Sequence, residues 1–150
     1  PNALNGLVVT RSGFSRVIGA GVYINGELVS DFRGDGVIVA TPTGSTGYSL
    51  SAGGPIIAPA AGAMVITPVC PHSLNARSIV VSDSDEVTIK VRQSKKTQEE
   101  EAIATVDGGA SAKLRAGDYI KVRRAGCMVK LVRLSGRSFY QVLRAKLNGV

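Results

Sequence analysis

Hydrophobic residues recur at alternate positions through most of this chain, in short runs broken by glycine, asparagine, aspartate and proline. The clearest case is Glu86-Val87-Thr88-Ile89-Lys90-Val91-Arg92. Val87, Ile89 and Val91 share one face and the polar residues take the other, as in an antiparallel strand with one side in water. Further extended runs are predicted at 7–11, 17–24, 27–32, 37–40, 64–67, 79–82, 102–106, 119–124 and 127–134. Asn25-Gly26 predicts a two-residue hairpin, because both residues tolerate the positive φ that such a turn demands. Ala125-Gly126 predicts a second hairpin, and Gly19 and Gly21 weaken the strand that holds them or mark a bulge. Turns are read at 33–36, 107–109 and 114–118, and the polar run 93–101 reads as a solvated hairpin tip.

Helical signals are few. A turn or two is predicted from Tyr48 to Ala52, stopped by Gly53-Gly54-Pro55. Ser138 is placed to cap a closing helix in which Phe139, Val142 or Leu143, and Leu147 repeat at helical spacing. The pattern therefore predicts an all-β sandwich or barrel of about nine or ten strands with one terminal helix and no βαβ alternation.

Composition narrows this reading. At 150 residues the chain is long enough for one domain with its own core, and 18 glycines with only 5% aromatics suit many short strands and turns. Cys70 and Cys127 have no metal-binding or disulfide-framework spacing and are expected as buried free thiols in a reducing compartment. The amino terminus lacks the basic and apolar regions of a signal peptide, and the least polar run, 56–70, is too short to cross a bilayer. A cytoplasmic protein without membrane contact is expected. The formal charge is +7. Between Lys113 and Lys146 stand ten Lys or Arg and a single acid, Asp118. Lys121, Arg123 and Lys130 alternate within strand-like runs, however, and only Tyr119 offers an aromatic ring beside them. A solvated face explains them better than a nucleic-acid surface. Attraction of a small polyanion such as a nucleotide fits the same charge.

The residues from Gly36 to Ala76 contain no Asp, Glu, Lys or Arg, and within them lies Thr41-Pro42-Thr43-Gly44-Ser45-Thr46-Gly47-Tyr48-Ser49-Leu50-Ser51-Ala52-Gly53-Gly54-Pro55. Small, hydroxylated and neutral, this stretch suits close approach of backbone to a ligand. It has no lysine and so is not a phosphate-cradling P-loop. Gly44-Ser45-Thr46-Gly47 is one residue short of a nucleophile elbow, and His72 is the one available base. What remains suits a nucleoside. Asp35 and Asp107, each in a Gly-flanked turn, can accept hydrogen bonds from ribose hydroxyls, and Tyr48 can stack on a base. Thr43, Thr46 and Ser51 can meet base edges and phosphate, and Arg16 or Arg33 can pair with phosphate. Each residue alone also has a structural explanation, as a turn, a surface charge or a rim residue. Together they point to a ligand loop, with a nucleotide as the best fit.

The run from Thr41 to Ile56 resembles the signature of NAD kinases, which more often have Ala in place of Gly47. Ala3-Leu4-Asn5, Asp35-Gly36, Pro71-His72-Ser73-Leu74-Asn75-Ala76-Arg77, Asp107-Gly108 and Arg144-Ala145-Lys146-Leu147 resemble further blocks of that family. The resemblance implies an NAD-kinase-type carboxyl-terminal β-sandwich of about nine to twelve strands, belonging to a two-domain enzyme. That enzyme passes the terminal phosphoryl group of ATP or polyphosphate, with a divalent metal such as magnesium, to the 2′-hydroxyl of the adenosine ribose of NAD. The family's general base is an Asp in a Gly-Gly-Asp-Gly motif on the amino-terminal domain. That motif is not in this chain, which is therefore expected to bind NAD weakly and to be inactive alone.

Carried over, Asn5 contacts the nucleotide, and Thr43, Thr46, Gly47, Tyr48, Ser49, Leu50 and Ser51 line the adenosine and ribose pocket. Arg33 and Asp35 lie by the nicotinamide half, in some members reaching a ligand held mainly by a neighbouring subunit. Arg16 stands where a basic residue or His is common, His72 and Leu74 skirt the pocket, and Asp107 and Gly109 lie on a turn that closes it. Homodimers or homotetramers are implied. Gly6 replaces the family's Glu and Gly109 its common Gln, so either another group compensates or binding is weaker. The rival readings are a stand-alone nucleotide-sensing or nucleic-acid-binding β module and a lipid kinase of the related superfamily. Gly-Gly-Pro after the hydroxyl signature favours the NAD branch over the latter.

Overall fold

The computed structural model describes residues 1–12, 17–92 and 101–149. Among them the alternating pattern forms ten strands in two antiparallel sheets. The larger sheet has the order β6-β5-β4-β1-β8-β9. Its strands are β1 (Gly6–Arg11), β4 (Gly36–Ala40), β5 (Ala63–Val69), β6 (Ile79–Ser82), β8 (Glu101–Val106) and β9 (Ser111–Arg115). The smaller sheet, in the order β10-β7-β2-β3, contains β2 (Ile18–Ile24), β3 (Glu27–Gly34), β7 (Val87–Arg92) and β10 (Tyr119–Val122).

The sheets face one another across a core that every second residue enters. Leu7, Val9, Val37, Val39, Met64, Ile66, Ala102, Ala104 and Leu114 come from the larger sheet; Ile18, Ala20, Val22, Phe32, Val87, Ile89 and Val91 come from the smaller. The alternation of β7 is realised in full, with its three apolar residues almost wholly buried. Strand β4 differs, since all five of its residues are buried. Its unbroken apolar run is explained by a second cluster on the outer face of the larger sheet. There Ile38, Ala40, Val65 and Val69 pack against Ile57 of the segment that follows the hydroxyl loop.

The Asn25-Gly26 hairpin forms with φ of 51° and 86°. Asn25 also exchanges side-chain hydrogen bonds with Asp85 and the Glu86 amide, which ties this hairpin to the entry of β7. The bulge in β2 falls at Val22 and Tyr23 and not at its glycines. Gly19 and Gly21 instead lie under the Arg92 side chain, where a Cβ would approach it to 2.8 Å.

Several expectations are corrected. The residues around Asp35 are not a four-residue turn. Strand β3 runs to Gly34 and β4 starts at Gly36, so the chain changes sheets at Asp35, held by its amide to the Val69 carbonyl and by its carbonyl to the Arg11 amide. The turn predicted at 114–118 forms at 116–117, starting two residues later than expected because β9, which was not expected, occupies Ser111–Arg115 and pairs with β8. No strand forms at 127–134, and Met128, Val129, Leu131, Val132 and Leu134 are exposed. A strand needs a ladder and a face to bury, and no described segment supplies either there. Both cysteines are exposed. Helix α2 (Phe139–Asn148) forms as expected, with a capping box between Ser138 and Gln141, yet none of its residues is buried. The predicted tip at 93–101 lies outside the described residues except for Glu101, which opens β8. Among the described residues, no helix is long and apolar enough to cross a membrane.

Ile89 is fully buried at the centre of the core. Ile89→Ala is expected to destabilise the fold by ~2–5 kcal/mol, through lost transfer energy and the cavity left behind. A drop in the urea midpoint with an unchanged slope would register this; an unchanged midpoint would contradict the packing described.

Candidate functional site

The neutral stretch after β4 folds into a 3-10 turn (Gly44–Thr46) and a single helical turn, α1 (Tyr48–Ser51). Its hydroxyls divide into two sets. Those pointing inward are used by the chain itself. Ser45 is fully buried, donates to the Pro42 carbonyl at 2.7 Å and accepts from the Ile57 amide at 3.0 Å. Ser49, also buried, shares a 2.9 Å hydrogen bond with Thr67, which accepts in turn from Ser78 at 3.4 Å. A Cβ on Gly54 would stand 2.5 Å from the Ser49 hydroxyl and 2.6 Å from that of Thr67, so the return of the loop admits only glycine there. Thr46, Gly47, Tyr48 and Ser51 are exposed, Tyr48 to 52%, while Thr43 and Leu50 are half-buried. Thr46 reaches back to the Thr43 carbonyl at 3.3 Å.

Thr41 ties the head of this loop to the segment before β1. Its amide donates to the Asn5 carbonyl at 2.9 Å and its hydroxyl to the Leu4 carbonyl at 2.6 Å, while the same hydroxyl accepts from the Gly44 amide at 3.1 Å. Gly44 lies so close that a Cβ would overlap the Asn5 carbonyl. From the other side, at the β8–β9 turn, the Asp107 carboxylate accepts the amides of Leu4 at 2.7 Å and of Asn5 and Gly6 at 2.9 Å. The Gly6 amide foremost, together with those of Leu4 and Asn5, holds the Asp107 carboxyl below its ordinary value of 3.8. Gly109 closes the turn with its amide on the Val106 carbonyl. Gly6, where the resemblance expects Glu, lies where a Cβ would overlap the Val39 carbonyl. Backbone occupies the room that a side chain would need.

The remaining candidates gather elsewhere. Asp35 pairs with Arg11 at 3.4 Å, and the His72 amide donates to the Arg33 carbonyl at 2.8 Å. His72 and Leu74 are exposed on the segment after β5, Leu74 to 90%. Arg16 lies outside the described residues. Register fixes the relation of the two groups. Gly6 pairs with Ala40 and Thr10 with Gly36, so Asn5 and the hydroxyl loop stand at one end of β1 and β4, and Arg33, Asp35 and His72 at the other. Asn5 and Asp35 are thus six strand positions, about 20 Å, apart. The described residues contain no group of three His, Cys, Asp or Glu able to hold a metal ion.

The structural roles of Thr41, Ser45 and Thr67 were not read from the sequence, where Ser45 was weighed only as a nucleophile. The absence of charge from 36 to 76 was their one signal, because inward-facing positions that need a hydrogen bond but exclude a formal charge favour hydroxyls.

A carboxyl whose folded pKa is lowered stabilises the fold fully above its unfolded value near 3.8, and that contribution fades as pH falls through the folded pKa. Asp107→Asn is therefore expected to lower the unfolding temperature at neutral pH. The difference from wild type should shrink on acidification below about pH 4. A difference that did not change with pH would contradict this account.

A family model described as the ATP-NAD kinase C-terminal domain matches residues 4–134. The NAD kinase of Lachnoclostridium phytofermentans is 62% identical over 145 residues, which are 97% of this chain and 51% of that protein. The NAD kinase of Carboxydothermus hydrogenoformans is 46% identical over 144 residues, 96% of this chain and 50% of that protein. Among solved structures, the yeast NADH kinase complexed with NADH matches with a TM-score of 0.73 and 37% identity, covering 81% of this chain and 34% of that one. An NAD kinase from Archaeoglobus fulgidus in complex with ATP also matches with a TM-score of 0.73, at 30% identity, covering 83% of this chain and 46% of that one. The chain thus spans about half the length of the curated relatives it matches. Matched along most of its length in sequence and in fold, it belongs to the ATP-NAD kinase C-terminal domain family.

Proposed function

We propose that this chain is the NAD-binding and oligomerising part of an NAD kinase, a cytoplasmic phosphotransferase that converts NAD to NADP. The observation that carries this reading is the sorting of the hydroxyl loop. Ser45 and Ser49 are turned inward and satisfied, which leaves Thr46, Tyr48 and Ser51 outward on a rigid support beside Asn5. In this reading Tyr48 stacks on the adenine. Thr46, Ser51 and the loop amides meet the polar edges of the adenosine, and Asn5 borders the ribose. The 2′-hydroxyl oxygen attacks the terminal phosphorus of ATP or polyphosphate, the bond to the leaving phosphate breaks, and the hydroxyl proton passes to a base. A divalent metal such as magnesium would assist from outside this chain. We assign the base to the other half of the full-length protein, so that this chain alone binds NAD without phosphorylating it.

Two further parts of the reading follow from placement. Arg33, Asp35 and His72 stand at the far end of β4 from Tyr48, which suits a homodimer or homotetramer in which one copy presents Asp35 to a nucleotide held by another. The uncovered side chains from Met128 to Leu134 suit contact with the amino-terminal domain.

In the full-length protein, Tyr48→Ala is expected to raise the KM for NAD about tenfold, the size of one lost base-stacking contact. Unchanged KM and kcat would remove Tyr48 from the pocket. The tail makes a separate test. Val132→Asp with Leu134→Asp should make the full-length protein more sensitive to limited proteolysis and leave urea unfolding of the isolated chain unchanged. Equal proteolysis of variant and wild type would exclude the tail from the domain contact.

A further inference from the structure

We propose that Asp107 is a positioning residue of the nucleotide site, which sets where Asn5 and the head of the hydroxyl loop stand without touching the ligand. This rests on the nucleotide reading above. A carboxylate in an Asp-Gly turn ordinarily serves its own turn. Here both oxygens are engaged by a segment more than a hundred residues earlier in the chain, through the amides of Leu4, Asn5 and Gly6. The Asp107 amide completes the contact on the Gly6 carbonyl at 3.1 Å. The backbone of Asp107 has a φ of 47°, left-handed and unusual outside glycine, and Gly108 follows with 71°, so the turn is bent to present the carboxylate to those amides.

The place where the brace acts distinguishes it from general support of the sheet. Strand β1 is already held on both sides, by β4 and by β8, from Leu7 onward. The carboxylate grips the residues just upstream, where the ladder with β8 has ended. Those residues are in turn the ones that Thr41 and Gly44 rest on: the Thr41 hydroxyl on the Leu4 carbonyl, the Thr41 amide on the Asn5 carbonyl, and the Gly44 backbone against the same carbonyl. A shift of residues 4–6 would therefore carry the start of the hydroxyl loop with it. Three charge-assisted acceptor contacts from a fixed turn make that shift costly. The carboxylate has both oxygens engaged by backbone donors and takes a supporting place, although its residue type and its Gly-flanked turn suit a ribose ligand.

The test uses the full-length protein with Asp107→Ala and Asp107→Asn, and two readouts. Amide hydrogen exchange at residues 4–6 and 41–47 is expected to quicken at least about tenfold in Asp107→Ala, with β2 and β7 unchanged. The KM for NAD should rise about tenfold while kcat falls less than about threefold, and Asp107→Asn, which keeps one acceptor oxygen, should lie between. Unchanged exchange at residues 4–6 would overturn the proposal. So would faster exchange there with an unaltered KM, which would make the contact structural only, and so would faster exchange throughout β2 and β7, which would mark general loosening. A wild-type protein that does not phosphorylate NAD would overturn the nucleotide reading instead, and the exchange measurement keeps that failure distinct from failure of the brace.

Discussion

A length of irregular backbone laid over the outer face of a sheet must find partners for every donor and acceptor that it hides from water, and the hydroxyl loop meets this demand with its own side chains. Ser45 bonds the Pro42 carbonyl and the Ile57 amide, joining the loop's entry to its exit across twelve residues. Ser49 and Thr67 join its helical turn to β5. An orphaned buried group would cost about 1–3 kcal/mol, and a formal charge in the same place far more. The constraint explains two features at once: why charge is absent from the run, and why the apolar outer face of β4 and β5 can be covered by so little regular structure. It also fixes orientation, because once Ser45 and Ser49 point inward the helical geometry turns Tyr48 and Ser51 outward.

The parts of the fold that were legible in the sequence are those decided by neighbouring residues. The alternation of β7, the positive φ of Asn25-Gly26 and the Ser138 cap each depend on chemistry within a few positions, and each appears where expected. The parts that were not legible depend on a partner distant in the chain. Residues 127–134 alternate as a strand would, but β-propensity measures fitness to pack on a neighbour and no described segment offers one. Strand β9 was passed over for the opposite reason. Ser111, Ala112 and Lys113 carry little apolar signal, and β9 exists because β8 supplies a ladder.

The site divides in a similar way. Residue types suited to a nucleotide were recognisable in order along the loop, but their direction was not. Ser49 carries the same hydroxyl as Ser51, and one is buried against Thr67 while the other is exposed. Asp35 and Asp107 sit in similar Gly-flanked settings, yet one pairs with the Arg11 guanidinium and the other with three backbone amides. Composition and spacing state what a side chain can bond. Only the fold decides whether water, ligand or backbone takes the bond.

The separation of the two groups of candidate residues then limits how they can act together. Strands β1 and β4 are held in register along their length, so the six-residue separation of about 20 Å between Asn5 at one end and Asp35 at the other cannot close by local movement. The ends also differ in kind. One presents hydroxyls, amides and an aromatic ring, its Asp107 carboxylate being turned onto backbone amides, and the other brings Arg11, Arg33, Asp35 and His72 together. A ligand gripped at both ends of one chain would have to be extended along the sheet. A ligand gripped by the hydroxyl-loop end of one copy and the Asp35 end of another would make binding depend on assembly, and dilution would then weaken affinity without altering any contact within a single chain. The rigidity of the paired strands limits a ligand that needs both ends to these two arrangements, because nothing within one chain can bring the ends closer.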